Sequence, residues 1–230
     1  MADKGSVVMV ERMSLWQRVA HGVLIVCVLM MVVSGLSLAY HDQPWAHALI
    51  GAMGGLQGRD AVHRAGAIIL LVMVVAHILT LVFSARCQRD MRESVPRCKD
   101  FSEGWAGFVY RTTGKGEAPR FGHFTPMQKF QYWGILLGCA IMGLSGAVLW
   151  SPRASMELFP KNFLDLMRVV HSSEAQLIFL LFILWHLYDT HIAGGNFPMN
   201  PSWLTGKMRE DAFKAQHLAE WEARQKGEKG

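Results

Sequence analysis

Four histidines are spaced along the chain so that they could act as ligands to a buried group: His21, His63, His171 and His186. Each stands in or beside an apolar segment, where a polar ring must find a partner because lipid offers none. Neutral imidazole is also the commonest metal ligand among protein side chains. If the apolar segments cross a membrane, the four histidines fall at two depths and predict two ligand pairs.

Three segments without any Asp, Glu, Lys or Arg are long enough to cross a bilayer, namely residues 19–39, 65–84 and 130–151. A hydrocarbon core of about 30 Å needs about 20 helical residues at about 1.5 Å each. Residues 169–188 form a weaker fourth segment, which carries several polar groups near one end. The sequence therefore predicts an all-α, four-helix transmembrane bundle, a single domain over residues 1–230, with spans at about 16–40, 63–85, 129–151 and 168–191.

The distribution of basic residues predicts the orientation of the bundle. Lys and Arg number 3 before the first span, 9 in residues 86–129 and 6 after the fourth span, but only 5 in the two other loops. The positive-inside rule then places both termini and the central loop in the cytoplasm. Residues 86–128 are expected to form a cytoplasmic loop with an amphipathic segment, and residues 203–230 a solvated helical tail. The net charge of +5 is thus a topology signal, and no nucleic-acid partner is expected.

In this orientation His63 and His171 lie near the outer face, and His21 and His186 near the cytoplasmic face. Fifteen residues separate the two histidines of the fourth span. That is about 22 Å of helix, with both side chains on roughly the same side, and a small bulge would improve their alignment. His77 is nearly level with His186 and is an alternative to His21. Two haems stacked across the bilayer are the groups that these histidine pairs are most expected to bind.

Residues near the histidines agree with buried porphyrins. Gly22 and Gly66 would let a macrocycle approach the helix backbone. Arg18, Arg64 and Arg168 are candidates to pair with haem propionates, and the alternative is that they anchor helix ends at the membrane surface. The four cysteines form no CxxCH or CxxC pattern, so neither covalently attached haem nor a thiolate metal site is expected.

A family resemblance rests on three segments: Trp16-Gln17-Arg18-Val19-Ala20-His21, His63-Arg64-Ala65-Gly66, and His171 with His186-Leu187-Tyr188. Together they resemble the cytochrome b (gamma) subunit of respiratory formate dehydrogenases. The same superfamily includes the cytochrome b subunits of nickel-iron hydrogenases and the bacterial cytochromes b561. The resemblance extends from about Arg12 to Met208. It implies two haem b groups, one bound by His21 and His186 on the cytoplasmic side and one bound by His63 and His171 on the outer side.

The resemblance also implies a function in anaerobic respiration. A subunit of this kind anchors a complex in the bacterial inner membrane and passes electrons between an extracytoplasmic partner and the quinone pool. That partner is an iron-sulfur or multihaem cytochrome subunit with its catalytic subunit, and the quinone is menaquinone or ubiquinone. Thr125, Gln128 and Lys129 resemble the family's quinone segment, although Thr125 stands where the family has Asn. Their alternative role is a polar first helical turn. No other catalytic site is expected.

Several alternatives share the same ligands or the same helices. The same histidines and spans are also expected in the cytochrome b subunit of a hydrogenase, of a sulfur-compound reductase or of a multihaem cytochrome c complex. Hypotheses of another class are a haem-free membrane anchor and an ion or metal transporter. A transporter needs a polar path or broken helices near the midplane, whereas these spans are continuous and largely apolar.

Overall fold

The computed structural model describes residues 8–116, 120–192, 197 and 199–227. Helices dominate this part of the chain, and the bounds of the four longest follow its apolar segments. In chain order the elements are β1 (Met9–Glu11), α1 (Leu15–Ala39), α2 (Pro44–Ala52), α3 (Gly55–Phe83), α4 (Ala85–Ser94), α5 (Cys98–Thr113), α6 (Pro126–Leu149), α7 (Pro152–Leu158), α8 (Lys161–Leu181), the π-helical segment Phe182–Ile192, α9 (Ser202–Thr205), β2 (Lys207–Arg209), α10 (Glu210–Gln216) and α11 (Leu218–Gly227).

Within the described ranges, four helices are long and apolar enough to cross a membrane, which confirms the predicted four-helix architecture. They are α1, α3, α6 and the continuous helix Lys161–Ile192, with mean hydropathies of 2.6, 2.8, 1.8 and 1.4. The fourth is the least apolar, in line with its polar residues. Helix α3 begins eight residues before the predicted span, directly after Gly54. Gly54 and Gly55 have φ angles of 90° and 83°, a left-handed turn that suits glycine and ends the preceding helix.

The chain divides into two compact units. The first unit comprises residues 19–80 and 135–185, and within it α3 packs closely on α1. A Cβ atom added at Gly66 would lie 3.0 Å from the carbonyl oxygen of Cys27 and 2.9 Å from Cγ of Met31. Gly66 therefore permits close helix packing, and the space that the sequence reserved for a macrocycle is occupied by α1.

Helix α6 packs on α8 in the same way within the first unit. A Cβ atom at Gly138 would lie 2.9 Å from Cδ1 of Ile178 and 3.1 Å from Oε1 of Glu174. Small residues at such positions let helix backbones approach closely, which is the main source of packing energy between helices in lipid. The first unit is thus built from two close helix pairs, α1 with α3 and α6 with α8.

The second unit comprises the described residues within 1–18, 81–134 and 186–230. It contains a feature that the all-α prediction lacked, an antiparallel pair of strands β1 and β2, in which Val10 pairs with Met208. Each strand has three residues, which is too short to leave an alternating pattern in the sequence. The pair joins the beginning of the chain to its tail.

The central loop of the prediction is largely helical in the second unit. Helices α4 and α5 account for most of residues 86–113. Phe101, Trp105 and Phe108 on α5 are exposed, an arrangement typical of an amphipathic helix at a membrane surface. The Nζ atom of Lys129 at the start of α6 lies 2.9 Å from Oδ1 of Asp100 on α5, and both residues are buried. Their ion pair fixes α5 against the third span.

The tail is helical, and it is docked through Phe213 and His217, whereas no residue of α11 is buried. Phe213 is fully buried and His217 is 1% exposed. The contacts of Arg12 hold this part of the tail in place, because its guanidinium donates to Glu220 Oε2 at 3.0 Å and to the carbonyl oxygen of His123 at 2.7 Å. It also lies 3.3 Å from Nε2 of His217. Arg12 thus contacts two residues of the tail, Glu220 and His217, and also His123, which precedes α6.

This cluster has strongly shifted pKa values. Burial, reinforced by the charge of Arg12, lowers the pKa of His217 to about 4 from 6.5. Burial by itself would raise the pKa of Glu220. The hydrogen bonds from His123 and Arg224 and the charge of Arg12 outweigh it and lower that pKa to about 2 from 4.5. His217 is therefore neutral and Glu220 ionised when the tail is docked at neutral pH.

Acidification is expected to release the tail. Between pH 6.5 and 4 the undocked His217 takes up a proton that the docked residue excludes, which removes about 3 kcal/mol of docking free energy. Below pH 4.5 Glu220 lowers the docking free energy further, because its carboxylate takes up a proton more readily in the undocked tail. The protection factors for hydrogen exchange of residues 207–227, which compare each observed rate with the intrinsic rate at the same pH, should therefore fall as the pH falls below about 6. His217→Gln should flatten that pH dependence, whereas His41→Gln, at an exposed histidine, should leave it unchanged. Tail protection that is constant from pH 7 to pH 4.5 would contradict this account.

Candidate functional site

His63 and His171, which the sequence predicts as the outer ligand pair, lie close together within the first unit. His63 lies on α3 and His171 on α8, and both are half-buried. Their ring centroids are 6.3 Å apart and their planes are inclined at 67°. Bonds between a metal and imidazole nitrogen are about 2 Å long, so an ion between two rings separates their centroids by about 6 Å. The pair therefore has the spacing of two ligands on opposite sides of one metal ion.

The donor set fits haem better than it fits a bare metal ion. Among the described residues, no group of three or more His, Cys, Asp or Glu side chains is placed to hold a metal. Two histidines leave most of the coordination shell of a free ion unfilled. Haem supplies four nitrogens itself and needs only two axial ligands from the protein. His63 and His171 provide such a set.

Each ring of the pair also contacts a serine on a neighbouring helix. Nδ1 of His63 lies 2.9 Å from Oγ of Ser34 on α1. Nδ1 of His171 lies 2.9 Å from Oγ of Ser145 on α6. A third buried serine, Ser37 on α1, donates instead to the carbonyl oxygen of Ser34. The imidazoles are therefore held through Nδ1, and their Nε2 atoms remain for a ligand.

A glycine follows each of the two serines and faces the same ring. A Cβ atom at Gly35 would lie 3.7 Å from Cε1 of His63, and one at Gly146 would lie 3.2 Å from Cε1 of His171. The second distance is tighter than ordinary van der Waals contact. Gly35 and Gly146 are therefore the glycines next to these two rings, and neither was among the glycines expected near the histidines from the sequence, Gly22 and Gly66.

The residues of the predicted inner pair lie in different units, and their pairing stays a prediction. His21 on α1 is half-buried in the first unit, and His186 is half-buried in the second. The rival ligand, His77 on α3, is exposed. His186 lies in the π-helical segment that begins at Phe182. A π-helix has a wider turn, so this segment is a bulge of the kind expected between the two histidines of the fourth span.

The three arginines proposed for propionates differ in their surroundings. Arg64 donates to the carbonyl oxygen of Trp150 at 3.0 Å and lies 5.0 Å from the centroid of its ring. Arg168 is exposed and bonds to Asp165 at 3.2 Å. Nε of Arg18 is buried and has no hydrogen-bond partner among the described residues. A buried donor without a partner is costly, so Arg18 is the arginine best prepared to receive an anion.

Arg59, one turn before His63 on α3, was not among the predicted site residues. Its side chain is buried, with 8% of the residue exposed. Nε donates to the carbonyl oxygen of Ser34 at 2.7 Å, and the guanidinium forms an ion pair with Asp60. The signal in the sequence was its position four residues before a ligand candidate, on the same face of the helix. Arg59 places a positive charge beside the His63 and His171 pair.

The three residues proposed for the quinone have structural contacts. The backbone nitrogen of Thr125 donates to Oε1 of Gln128 at 3.0 Å, and that of Gln128 lies 3.2 Å from Oγ1 of Thr125. This reciprocal capping begins α6. Lys129 donates hydrogen bonds to the carboxylate of Asp100. Burial alone would raise the pKa of Asp100, but the hydrogen bond from Lys129 helps to lower it below its usual value. A polar first turn accounts for all three residues, and their contact with a quinone stays a prediction.

Comparison with known proteins identifies the family. The family model described as prokaryotic cytochrome b561 matches residues 8–94 and 101–192, which include all four candidate histidines. No curated protein matches the chain. The family agrees with the resemblance read from the histidine segments and with the four apolar helices. The chain therefore belongs to the prokaryotic cytochrome b561 family, and it is a membrane-bound, haem b-binding protein of electron transfer.

Proposed function

We propose that this protein is a membrane-anchoring dihaem cytochrome b subunit that carries electrons between an extracytoplasmic redox partner and the quinone pool of the bacterial inner membrane. The observation that carries the proposal is the placement of His63 and His171, from two different spans, with ring centroids 6.3 Å apart. Haem b supplies reversible one-electron transfer, and with two axial histidines it has no open position for a small ligand. Electron transfer is therefore the chemistry that this site supports.

His63 and His171 hold the outer haem in this proposal, and His21 and His186 hold the inner one. The half-buried positions of His21 and His186 support the second pair, as does the exposed position of His77. Arg18 binds a propionate of the inner haem, because its buried Nε lacks a partner among the described residues. Arg64 and Arg168 are weaker candidates at the outer side, because each already bonds to a neighbouring residue.

The partners of the subunit follow from the same proposal. An iron-sulfur or multihaem cytochrome subunit, with its catalytic subunit, exchanges electrons with the outer haem. Menaquinone or ubiquinone reacts near the inner haem, close to the start of α6, where Thr125, Gln128 and Lys129 lie. We favour the formate dehydrogenase gamma type, on the resemblance of the histidine segments. The cytochrome b subunit of a hydrogenase is the second candidate, because the superfamily of that resemblance includes it as well.

The first test is the visible spectrum of the full-length protein purified from membranes. Two b-type haems should give a Soret band and an alpha band that respond to dithionite, and a pyridine haemochrome assay should find two haems per chain. A redox titration should resolve two one-electron components. A colourless, folded protein would reject the proposal in favour of a haem-free anchor or a transporter. One haem per chain would reject the dihaem assignment.

A further inference from the structure

We propose that Ser34 and Ser145 are positioning residues for the outer haem, each of which holds an axial histidine through Nδ1 and directs Nε2 towards the iron. The inference rests on the proposed function, because it concerns the same pair of histidines. It adds two hydroxyl groups that determine which nitrogen of each ring binds and how the ring is rotated. The hydrogen bonds that each serine hydroxyl makes to its own helix and to a histidine ring support this role.

Each serine hydroxyl has one proton, and the helix backbone uses it. Oγ of Ser34 donates to the carbonyl oxygen of Met30 at 2.5 Å, and Oγ of Ser145 donates to that of Ile141 at 2.7 Å. Towards the imidazole the hydroxyl can then act only as an acceptor.

The nitrogen that faces the hydroxyl must therefore carry the hydrogen. Nδ1 of His63 and Nδ1 of His171 each lie 2.9 Å from a serine Oγ, so each donates an N–H bond to it. A neutral imidazole with a hydrogen on Nδ1 has its lone pair on Nε2. Both rings thus present Nε2 as the ligand nitrogen. The hydrogen bond also limits rotation of each ring about its bond to Cβ.

The same device occurs twice, which argues against a chance contact. Ser34-Gly35 on α1 and Ser145-Gly146 on α6 share one sequence, and in both cases the serine bonds the ring while the glycine faces it. Each serine also follows a helix-capping glutamine, Gln17 or Gln128, by 17 residues. Two helices of the same design therefore support two histidines on two other helices.

The hydrogen bonds should tune the outer haem. An imidazole that donates from Nδ1 has more electron density on Nε2, which stabilises ferric iron and lowers the midpoint potential. Replacing a serine by alanine removes the acceptor and leaves Nδ1–H without its partner. We therefore expect Ser34→Ala and Ser145→Ala each to raise the midpoint potential of the outer haem, and the double variant to raise it further. The ferric EPR signal of that haem should shift as well, because it depends on the angle between the two rings.

Redox titration and EPR of the full-length protein in membranes provide the test. Ser37→Ala is the matched control, because Ser37 is equally buried on α1 but, in the part of the chain that the structure describes, bonds a carbonyl oxygen and no histidine. Ser34→Thr keeps an acceptor at the same place and should restore the wild-type potential. The outer haem is identified by its loss in His63→Ala. If an alanine variant loses that haem, the threonine variant decides, since recovery of both haem and potential supports the proposal.

Two failures are distinguishable. A wild-type protein without haem rejects the proposed function itself. A wild-type protein with two haems, in which Ser34→Ala and Ser145→Ala match Ser37→Ala in potential and in EPR signal, rejects only the role of the serines. A shift confined to the other haem rejects it too.

Discussion

Replacing His63 or His171 by alanine is expected to remove one haem of two and to leave the other in place. Either change deletes one of the two rings whose centroids lie 6.3 Å apart, and a single remaining histidine cannot complete the axial pair. In the proposed assignment His21 and His186 hold the other haem, so its spectrum should persist. A pyridine haemochrome assay on purified protein should therefore fall from two haems per chain to one, and the titration should show a single component.

The matched control for this experiment is His47→Ala. His47 is exposed on α2 and has no assigned role, so its variant should keep both haems. Unchanged haem content in His63→Ala and His171→Ala would remove the central support for the proposed function. Loss of both haems together in a folded protein would show that the two sites are not independent.

The second large effect is expected at the inner site, where two histidines compete for one role. His21→Ala and His186→Ala should each remove the inner haem, and His77→Ala should leave both haems bound. The reason is that His21 is half-buried on α1, whereas His77 is exposed on α3. The same haem assay and titration measure the effect.

His77 provides the control in this set, because it lies on a span and has the same chemistry as the ligands. Double variants sharpen the comparison. His63→Ala with His21→Ala should be free of haem, while His63→Ala with His77→Ala should keep one. Loss of haem in His77→Ala with retention in His21→Ala would assign the inner site to His77 instead.

The spans were predictable because lipid imposes a simple requirement on the sequence. Uncharged apolar runs mark helices α1, α3 and α6 clearly. The start of α3 was missed because hydropathy stops at the charged residues Arg59, Asp60 and Arg64, although the helix continues through them to Gly55. Helix continuity depends on backbone hydrogen bonds, which charge near a membrane surface does not interrupt.

The candidate site was predictable only in part. His63 and His171 stood out because a polar ring in an apolar segment needs a partner. Ser34 and Ser145 gave no such signal, since serine is common in transmembrane helices and bonds readily to its own backbone. Their contacts with the histidines depend on the rotation of α1 against α3 and of α6 against α8, which no local pattern encodes. The repeated Ser-Gly pair becomes informative only when both copies are seen beside a ring.

The small sheet also constrains how often the chain crosses the bilayer. Strand β1 lies before the first span and β2 after the last, and the two are joined in register from Met9 with Arg209 to Glu11 with Lys207. Hydrogen bonds of this kind require both strands to be in the same aqueous compartment. The number of crossings between them must therefore be even, and this parity condition holds independently of any hydropathy scale or charge count.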